Sequence, residues 1–183
     1  MGQEQRLFTG IELPRAWLDA ASAMRRALLW HDVDARFTPP DRLHMTVHFI
    51  GETREGRAIE NAMATLTSCA PFELAVKGAG RFQRRRGGDL IVWHVQGDDA
   101  LSAYHRRERE ALASVGLSFD RRPYTPHITI ARNARGSFLG SGGLPGTLTV
   151  PPPFRVDVVT LFWSHRVDGR LVYTPLRRIR LNG

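Results

Sequence analysis

The sequence predicts a single α+β domain, and three observations lead to that prediction. Segments with the alternation of β-strands outnumber segments with helical spacing, and both kinds are interspersed along all 183 residues. No long linker and no shift in composition divides the chain. Hydrophobic residues make up 42% and charged residues 24%, which is typical of a chain that buries a core. We therefore expect one unit over residues 1–183.

The first half of the chain carries the signals of two strands and two helices. Trp17, Met24 and Leu28 recur at helical spacing. Pro14 ends the strand before them, because proline cannot donate to a sheet ladder and suits the start of a helix. The expected elements are a strand over 6–14, a helix over 15–30, a turn over 38–41, a strand over 43–51 and a helix over 54–68.

The second half is richer in strands. Gly116 is a typical helix stop, and Asp168-Gly169 is a strong signal for a hairpin turn. The expected elements are strands over 72–76 and 90–95 joined by a basic loop at 84–88, a helix over 99–115, a strand over 126–132, a long surface loop over 133–153 and closing strands over 154–164 and 171–181.

A short polar motif occurs twice, once in each half. His44-Met45-Thr46-Val47 is repeated as His127-Ile128-Thr129-Ile130, 83 residues further along. Each copy lies in a predicted strand, where residues two apart point to the same face. If the two strands lie side by side about a pseudo-two-fold axis, two imidazoles and two hydroxyls face one cleft.

Such a cleft has the groups needed for phosphoryl chemistry. One neutral imidazole can take a proton from water while a protonated imidazole gives one to a leaving alkoxide. Threonine hydroxyls can donate to phosphoryl oxygens. A single His-x-Thr in a strand is common, so chance repetition is the competing interpretation. A zinc site is disfavoured, because His44 and His48 are roughly 13 Å apart in a strand.

The charge balance points towards an anionic partner. The chain has 26 Lys and Arg against 18 Asp and Glu, a net charge of +8, and Lys77 is its single lysine. Arginine suits phosphate recognition, although a merely basic surface explains the charge equally well. The single cysteine, Cys69, excludes an internal disulfide. No signal peptide or membrane span is evident, so we expect a cytosolic protein.

The two motifs, taken with their flanks, resemble the 2H phosphoesterase superfamily. His44-Met-Thr-Val-His-Phe-Ile-Gly51 and Pro126-His-Ile-Thr-Ile-Ala-Arg132 are similar to the paired motifs of its RNA 2',3'-cyclic phosphodiesterases, also named 2'-5' RNA ligases or LigT-like proteins. The opening strand, Arg6-Leu-Phe-Thr-Gly-Ile-Glu-Leu-Pro14, also resembles that branch. This resemblance implies a bilobal fold of duplicated antiparallel-sheet lobes, with helices outside and a central cleft.

The resemblance also implies an activity and roles for individual residues. It implies hydrolysis of RNA 2',3'-cyclic phosphate ends to 2'-phosphomonoesters, with weak reversible 2'-5' ligation and neither metal nor cofactor. His44 would protonate the leaving 3'-oxygen and His127 would activate water; pseudo-symmetry leaves that order open. Thr46 and Thr129 would hold the phosphate. A monomer is the default expectation.

Further residues near the motifs are candidates for contact with nucleotide or RNA. Arg132 closes the second motif and is placed to stack on the base or reach the phosphate. Phe49 lines the nucleoside pocket or belongs to the core, His48 borders the cleft or is structural, and Tyr124 contacts substrate or caps the sheet. The remaining candidates, for guiding an RNA backbone, are Arg121, Arg122 and the run Arg84–Arg86, of which the last is more simply a solvated loop.

Two other functions stay open. The same fold could serve as an RNA-binding module without turnover. The same chemistry could act on 2'-5' oligoadenylate or a cyclic ADP-ribose phosphate, because the repeated motif specifies neither base nor leaving group.

Overall fold

A computed structural model of the chain describes residues 3–119, 123–136 and 150–183. Arg121, Arg122 and most of the predicted 133–153 loop lie outside these residues. The described part contains nine strands and three α-helices. In chain order they are β1 (Gln5–Glu12), α1 (Arg15–Trp30), β2 (Asp34–Phe37), β3 (His44–Thr53), α2 (Gly56–Ala64), β4 (Phe72–Phe82), β5 (Asp89–Gly97), α3 (Asp99–Ala113), β6 (His127–Arg135), β7 (Phe154–Val156), β8 (Val158–Val167) and β9 (Arg170–Arg180).

The strands form one antiparallel sheet with two lobes. Eight strands run in the order β7-β4-β5-β6-β3-β1-β8-β9, and β2 pairs with β6. We call β1, β3, β8 and β9 the first lobe, and β2 with β4–β7 the second lobe. Within each lobe the strands pair over many residues, whereas β3 and β6 are joined at the single registered pair Met45–Ile128. The predicted bilobal α+β fold is confirmed.

The helices pack their apolar sides on the sheet. In α1, the residues at helical spacing are buried, and Trp17 packs edge-on against Trp93 of β5 and Phe154 of β7. In α3, Tyr104 packs on Phe72 of β4. Asp98 caps the N-terminus of α3, since its carboxylate accepts from the Leu101 amide at 3.1 Å.

Several element boundaries differ from the sequence predictions. The strand expected over 72–76 extends to Phe82, because pairing with β5 resumes after a register shift between Val76 and Gly78 and stabilises the weak strand formers that follow. The helix expected over 54–68 ends at Ala64 and continues as a 3-10 turn over Thr65–Ser68. The single strand expected over 154–164 is interrupted at Asp157. The loop expected from residue 133 begins later, since β6 continues to Arg135.

Strand β2 is absent from the predictions altogether. Its sequence, Asp34-Ala-Arg-Phe37, is too short and polar to show an apolar alternation. It forms because β6 offers a free edge: Arg36 pairs with Arg132, and the Thr38 amide donates to the Ile130 carbonyl at 2.8 Å. This strand brings two further side chains to the site described next.

Candidate active site

The repeated motifs meet at the junction of the two lobes. The pair that joins β3 to β6, Met45 and Ile128, is the middle residue of each His-x-Thr motif. In an antiparallel pair that register places each histidine opposite the other motif's threonine. A pseudo-two-fold axis therefore passes between the motifs. His44, Thr46, His127 and Thr129 all line one cavity of about 290 Å³, as the sequence analysis expected.

The two histidines are oriented in the same way. The Nδ1–H of His44 donates to the carbonyl of Arg42 at 2.8 Å, and that of His127 donates to the carbonyl of Thr125, also at 2.8 Å. Both carbonyls lie two residues before the histidine they orient. With Nδ1 protonated, each neutral imidazole presents Nε2 for proton transfer. In His44, Nε2 lies 3.0 Å from the Thr46 hydroxyl, which donates to it in this tautomer.

Aromatic rings enclose His44 on the side of the first lobe. The ring centroids of Phe8, Tyr173 and Phe162 lie 4.8, 5.2 and 6.5 Å from that of His44. Gly10 completes this enclosure, because a β-carbon there would lie 3.3 Å from His44 Cδ2 and 3.1 Å from a backbone oxygen. Glycine thus lets β1 approach the imidazole closely.

Burial lowers the pKa of His44 below its ordinary value of 6.5. The hydrogen bond to the Arg42 carbonyl acts in the opposite direction, while the positive charges of Arg132 and His127 lower the pKa further. The imidazole is therefore biased towards its neutral form when the cavity holds no anion. A bound phosphate would offset the effect of the cations and restore part of the proton affinity.

His127 has different neighbours in the second lobe. Phe82 of β4 meets its ring edge-on at 5.2 Å, and the same phenyl ring also contacts His94 at 5.5 Å. His94 is the cross-strand partner of His127 on β5. The pseudo-symmetry of the motifs thus does not extend to the residues around them.

The cavity is strongly basic. Four arginines line it, and no carboxylate does so among the residues that the structure describes. Arg36 comes from β2, Arg42 from the 3-10 turn before β3, Arg132 from β6 and Arg166 from β8. Such a cavity favours an anion with several oxygen atoms. Sequence analysis found Arg132 by its place in the motif and missed the other three.

Aromatic and hydroxyl groups complete the cavity wall. Phe37, Thr38, Leu171 and Tyr173 were also missed by the sequence analysis, because no local pattern marks them. The Thr38 hydroxyl donates to the Thr129 carbonyl at 2.8 Å and so ties the wall to the second motif.

The structure separates Phe49 and His48 from this cavity. A bulge in the pairing of β1 with β3 lies between Thr46 and His48, so the alternation that would place His48 beside His44 is broken. His48 is buried, and its Nδ1 donates to the buried Glu108 carboxylate at 2.8 Å. Phe49 is 54% exposed, so it does not belong to the core. Both line a neighbouring cavity of about 580 Å³ that shares Thr46 and His127 with the first.

Tyr124 connects the two motifs. Its hydroxyl donates to the Thr46 carbonyl at 2.9 Å, and its backbone directly precedes Thr125, whose carbonyl orients His127. Its ring stacks on His105 at 4.1 Å, and His105 stacks in turn on His48 at 4.3 Å. This geometry supports the structural alternative for Tyr124 and His48. Their predicted contact with nucleotide stays a prediction.

Among residues 3–119, 123–136 and 150–183, no group of three or more His, Cys, Asp or Glu side chains is arranged to hold a metal ion. Within the same ranges, no helix is both long and apolar enough to cross a membrane.

Comparison with known proteins places the chain in a family. The model of the 2'-5' RNA ligase superfamily matches residues 14–168. An Escherichia coli K12 relative named RNA 2',3'-cyclic phosphodiesterase is 31% identical over 97% of each chain. A relative of the same name from Methanothermobacter thermautotrophicus is 31% identical over 69% of this chain and 70% of its own. A Geobacillus stearothermophilus relative, also of that name, is 38% identical, and that match spans 51% of this chain and 31% of the relative.

Solved structures agree with these relatives. Escherichia coli LigT complexed with 3'-AMP has a TM-score of 0.76 at 26% identity, over 99% of this chain and all of the other. A Thermus thermophilus protein, at 22% identity and a TM-score of 0.77 over 97% of this chain and 98% of its own, shares the fold. The chain belongs to the 2'-5' RNA ligase superfamily, and the 2H phosphoesterase resemblance predicted from the two motifs is confirmed.

Proposed function

We propose that the protein is an RNA 2',3'-cyclic phosphodiesterase that hydrolyses 2',3'-cyclic phosphate ends to 2'-phosphomonoesters. The observation that carries the proposal is the convergence of two identically oriented histidines, two threonines and four arginines on one cavity. The names of the relatives support the same activity. A cytosolic location, a monomeric state and independence from metal ions are further predictions of the proposal.

In the proposed mechanism the two histidines act from opposite sides of phosphorus. His127 Nε2 takes a proton from water as the water oxygen bonds to phosphorus. The bond from phosphorus to the 3'-oxygen breaks, and protonated His44 gives its proton to that oxygen. Thr46 and Thr129 donate to the non-bridging oxygens, and Arg132 offsets their negative charge. The products are a 2'-phosphate and a free 3'-hydroxyl.

The environment of His44 is consistent with the role of acid. A lowered pKa makes the imidazolium a stronger proton donor, and the phosphate anion raises the protonated fraction once it is bound. Attack by the 5'-hydroxyl of a second RNA in place of water would give a 2'-5' linkage by the same steps. Reversible ligation is therefore part of the proposal.

The activity can be tested with two substrates in the presence of EDTA. The intact protein, His44→Ala and His127→Ala are incubated with a 2',3'-cyclic-phosphate-ended RNA and with a nucleoside 2',3'-cyclic phosphate, and 2'- and 3'-phosphates are resolved. We expect a 2'-phosphate, with each substitution lowering the rate by about 10²–10⁴-fold. His31→Ala, a substitution outside the cavity, is the control. A 3'-phosphate product would mean that the 2'-oxygen leaves in place of the 3'-oxygen. Absence of any product would refute the proposed substrate.

The order of acid and base needs a separate substrate. A cyclic phosphorothiolate with sulfur in place of the bridging 3'-oxygen has a leaving group that needs no proton. We expect His44→Ala to recover most of its activity on this compound and His127→Ala to recover none. Recovery by His127→Ala instead would exchange the two roles. For the natural substrate, kcat/KM should show a bell-shaped dependence on pH, and because kcat/KM reports the free protein, the limb due to His44 should lie below pH 6.5.

A further inference from the structure

A second cavity lies beside the catalytic cavity, along helix α1. A cavity of about 280 Å³ shares Phe37 and Thr38 with the catalytic cavity, so these two residues form a common wall. Its other wall is the last turns of α1. We call it the α1 groove, and its lining includes Ser22, Arg25, Arg26, Leu29, Phe37 and Thr38.

The α1 groove is basic and its cations are not neutralised within the described structure. Arg25 and Arg26 lie on its α1 side, and Arg36 lies beyond the common wall in the catalytic cavity. Among the described residues, none of these three forms an ion pair. The Arg25 guanidinium lies 5.5 Å from the centre of the Phe37 ring. The exposed Asp32 and Asp34 follow α1 but line neither cavity.

An exposed aromatic ring follows the α1 residues that line the groove. Trp30, the last residue of α1, is 85% exposed, and Leu29 before it is 50% exposed. Trp17 in the same helix is fully buried. Trp30 follows Arg26 by four residues, so the two side chains are neighbours on the helix surface. An exposed indole beside unpaired arginines is the combination that binds single-stranded nucleic acid, with bases stacked on rings and phosphates held by cations.

We propose that the α1 groove binds the RNA strand that leads to the cyclic phosphate end. Arg25 and Arg26 contact backbone phosphates, and Phe37 and Trp30 offer rings to the bases. This inference rests on the proposed function, since it assigns the path of the substrate beyond its terminal nucleotide. If the groove binds RNA in this way, an RNA with a 2',3'-cyclic phosphate end is a better substrate than a nucleoside 2',3'-cyclic phosphate.

A competing path leaves the catalytic cavity on the other side. The cavity of about 580 Å³ beside Phe49 shares Thr46 and His127 with the catalytic cavity, and Arg109 is the arginine that the described residues contribute to it. The α1 groove is favoured because Arg25 and Arg26 form no ion pair among the described residues, and because Trp30 beside them is more exposed than Phe49. Phe49→Ala distinguishes the two paths.

The experiment compares two substrates of the same chemistry and different length. Values of kcat/KM are measured for a nucleoside 2',3'-cyclic phosphate and for a ten-nucleotide RNA with a 2',3'-cyclic phosphate end. The variants are Trp30→Ala and the double variant Arg25→Gln/Arg26→Gln, with Arg106→Gln on the exposed face of α3 as the matched control. We expect kcat/KM for RNA to fall about tenfold in each groove variant, and the value for the nucleotide to stay within about twofold.

Salt dependence gives a second measure of the double variant. Losing two phosphate contacts to single-stranded RNA should reduce the slope of log(kcat/KM) against log[salt] by about 1.4. The Arg106→Gln variant should keep the slope of the intact protein. Equal losses on both substrates, or an unchanged RNA rate in the groove variants, would overturn the proposal. So would a selective RNA defect in Phe49→Ala with none in the groove variants.

Binding separates this proposal from the catalytic one. Fluorescence anisotropy of a labelled ten-nucleotide RNA ending in a 2'-phosphate requires no turnover. We expect weaker binding in Trp30→Ala and in the double arginine variant, and unchanged binding in Arg106→Gln. If the intact protein binds this RNA through the groove but hydrolyses neither substrate, the proposed hydrolysis is wrong and the proposed RNA binding by the groove is retained. If binding is insensitive to the groove variants, the groove proposal fails.

Discussion

Tyr124 is predicted to set the geometry between β3 and β6, the two strands that carry the His-x-Thr motifs. Its hydroxyl donates to the Thr46 carbonyl at 2.9 Å, while its backbone precedes the Thr125 carbonyl that orients His127. Burial, followed by the nearby Glu108 carboxylate, raises the pKa of Tyr124 well above its usual range. The phenol therefore stays a hydrogen-bond donor at every pH at which the enzyme would be assayed. Tyr124→Phe removes only this bond and keeps the ring stacked on its neighbours.

The size of the effect follows from what the substitution leaves unpaired. A hydrogen bond contributes about 1 kcal/mol net, and an unsatisfied buried carbonyl costs about 1–3 kcal/mol. We expect the free energy of unfolding to fall by about 1–2 kcal/mol in Tyr124→Phe. Small displacements of catalytic groups are costly, so kcat should fall about tenfold while KM for the nucleotide changes little. The loss in kcat reflects the altered relation of Thr46 to His127.

Tyr104→Phe is the matched control for a merely structural effect. Tyr104 is also buried, and its hydroxyl donates to Glu108 at 3.4 Å and not to a residue of either motif. We expect a similar or smaller loss of stability and a kcat within about twofold of the intact protein. Urea unfolding and steady-state kinetics on a nucleoside 2',3'-cyclic phosphate measure the two quantities. If both variants lower kcat equally, or if Tyr124→Phe leaves kcat unchanged, the proposed positioning role is wrong.

Two further predictions concern the surroundings of the site. Gly10→Ala places a β-carbon 3.3 Å from the His44 ring, so we expect kcat to fall several-fold in steady-state assays. Gly56→Ala, which meets only a flexible side-chain end, should leave kcat unchanged; equal losses would contradict the packing argument. Burial lowers the pKa of His105 to about 4, so the unfolded chain binds more protons and stability falls as pH drops from 6.5 to about 4. His105→Phe keeps the stack, so its urea-unfolding free energy should fall less over that range; an unchanged pH dependence would refute the argument.

Most of the central sheet, and the meeting of the two His-x-Thr motifs, could be predicted because their signals are local. His44, Thr46, His127 and Thr129 are marked by a repeated pattern within strands of regular alternation. The alternation holds along each motif, and the pairing of Met45 with Ile128 then brings the four side chains to one cavity. For these four residues, the position along the strand is enough to predict the face of the sheet on which the side chain lies.

Other parts of the site could not be predicted, because they depend on partners distant in sequence. Arg36 reaches the cavity through a short polar strand that exists only as an addition to β6. Tyr173 arrives from the closing hairpin and packs on His44, a contact that no local period reveals. For His48 the alternation was misleading, since a bulge fixed by pairing with β1 moves it from the face of His44. A bulge depends on the pairing of two strands, so it cannot be predicted from the sequence of one strand alone.

The difference between local signals and distant partners also accounts for how two like motifs could supply the two unlike groups of the proposed mechanism. The motifs supply identical histidines with identical backbone acceptors, so any difference in their chemistry must come from the lobes around them. In the first lobe, Phe8, Tyr173 and the close approach of Gly10 enclose His44, and burial lowers its pKa. In the second lobe, Phe82 meets His127 edge-on beside a further histidine. The proposed division of labour between acid and base would therefore be a property of the unlike walls, and substitutions there should alter the pH profile before they alter substrate binding.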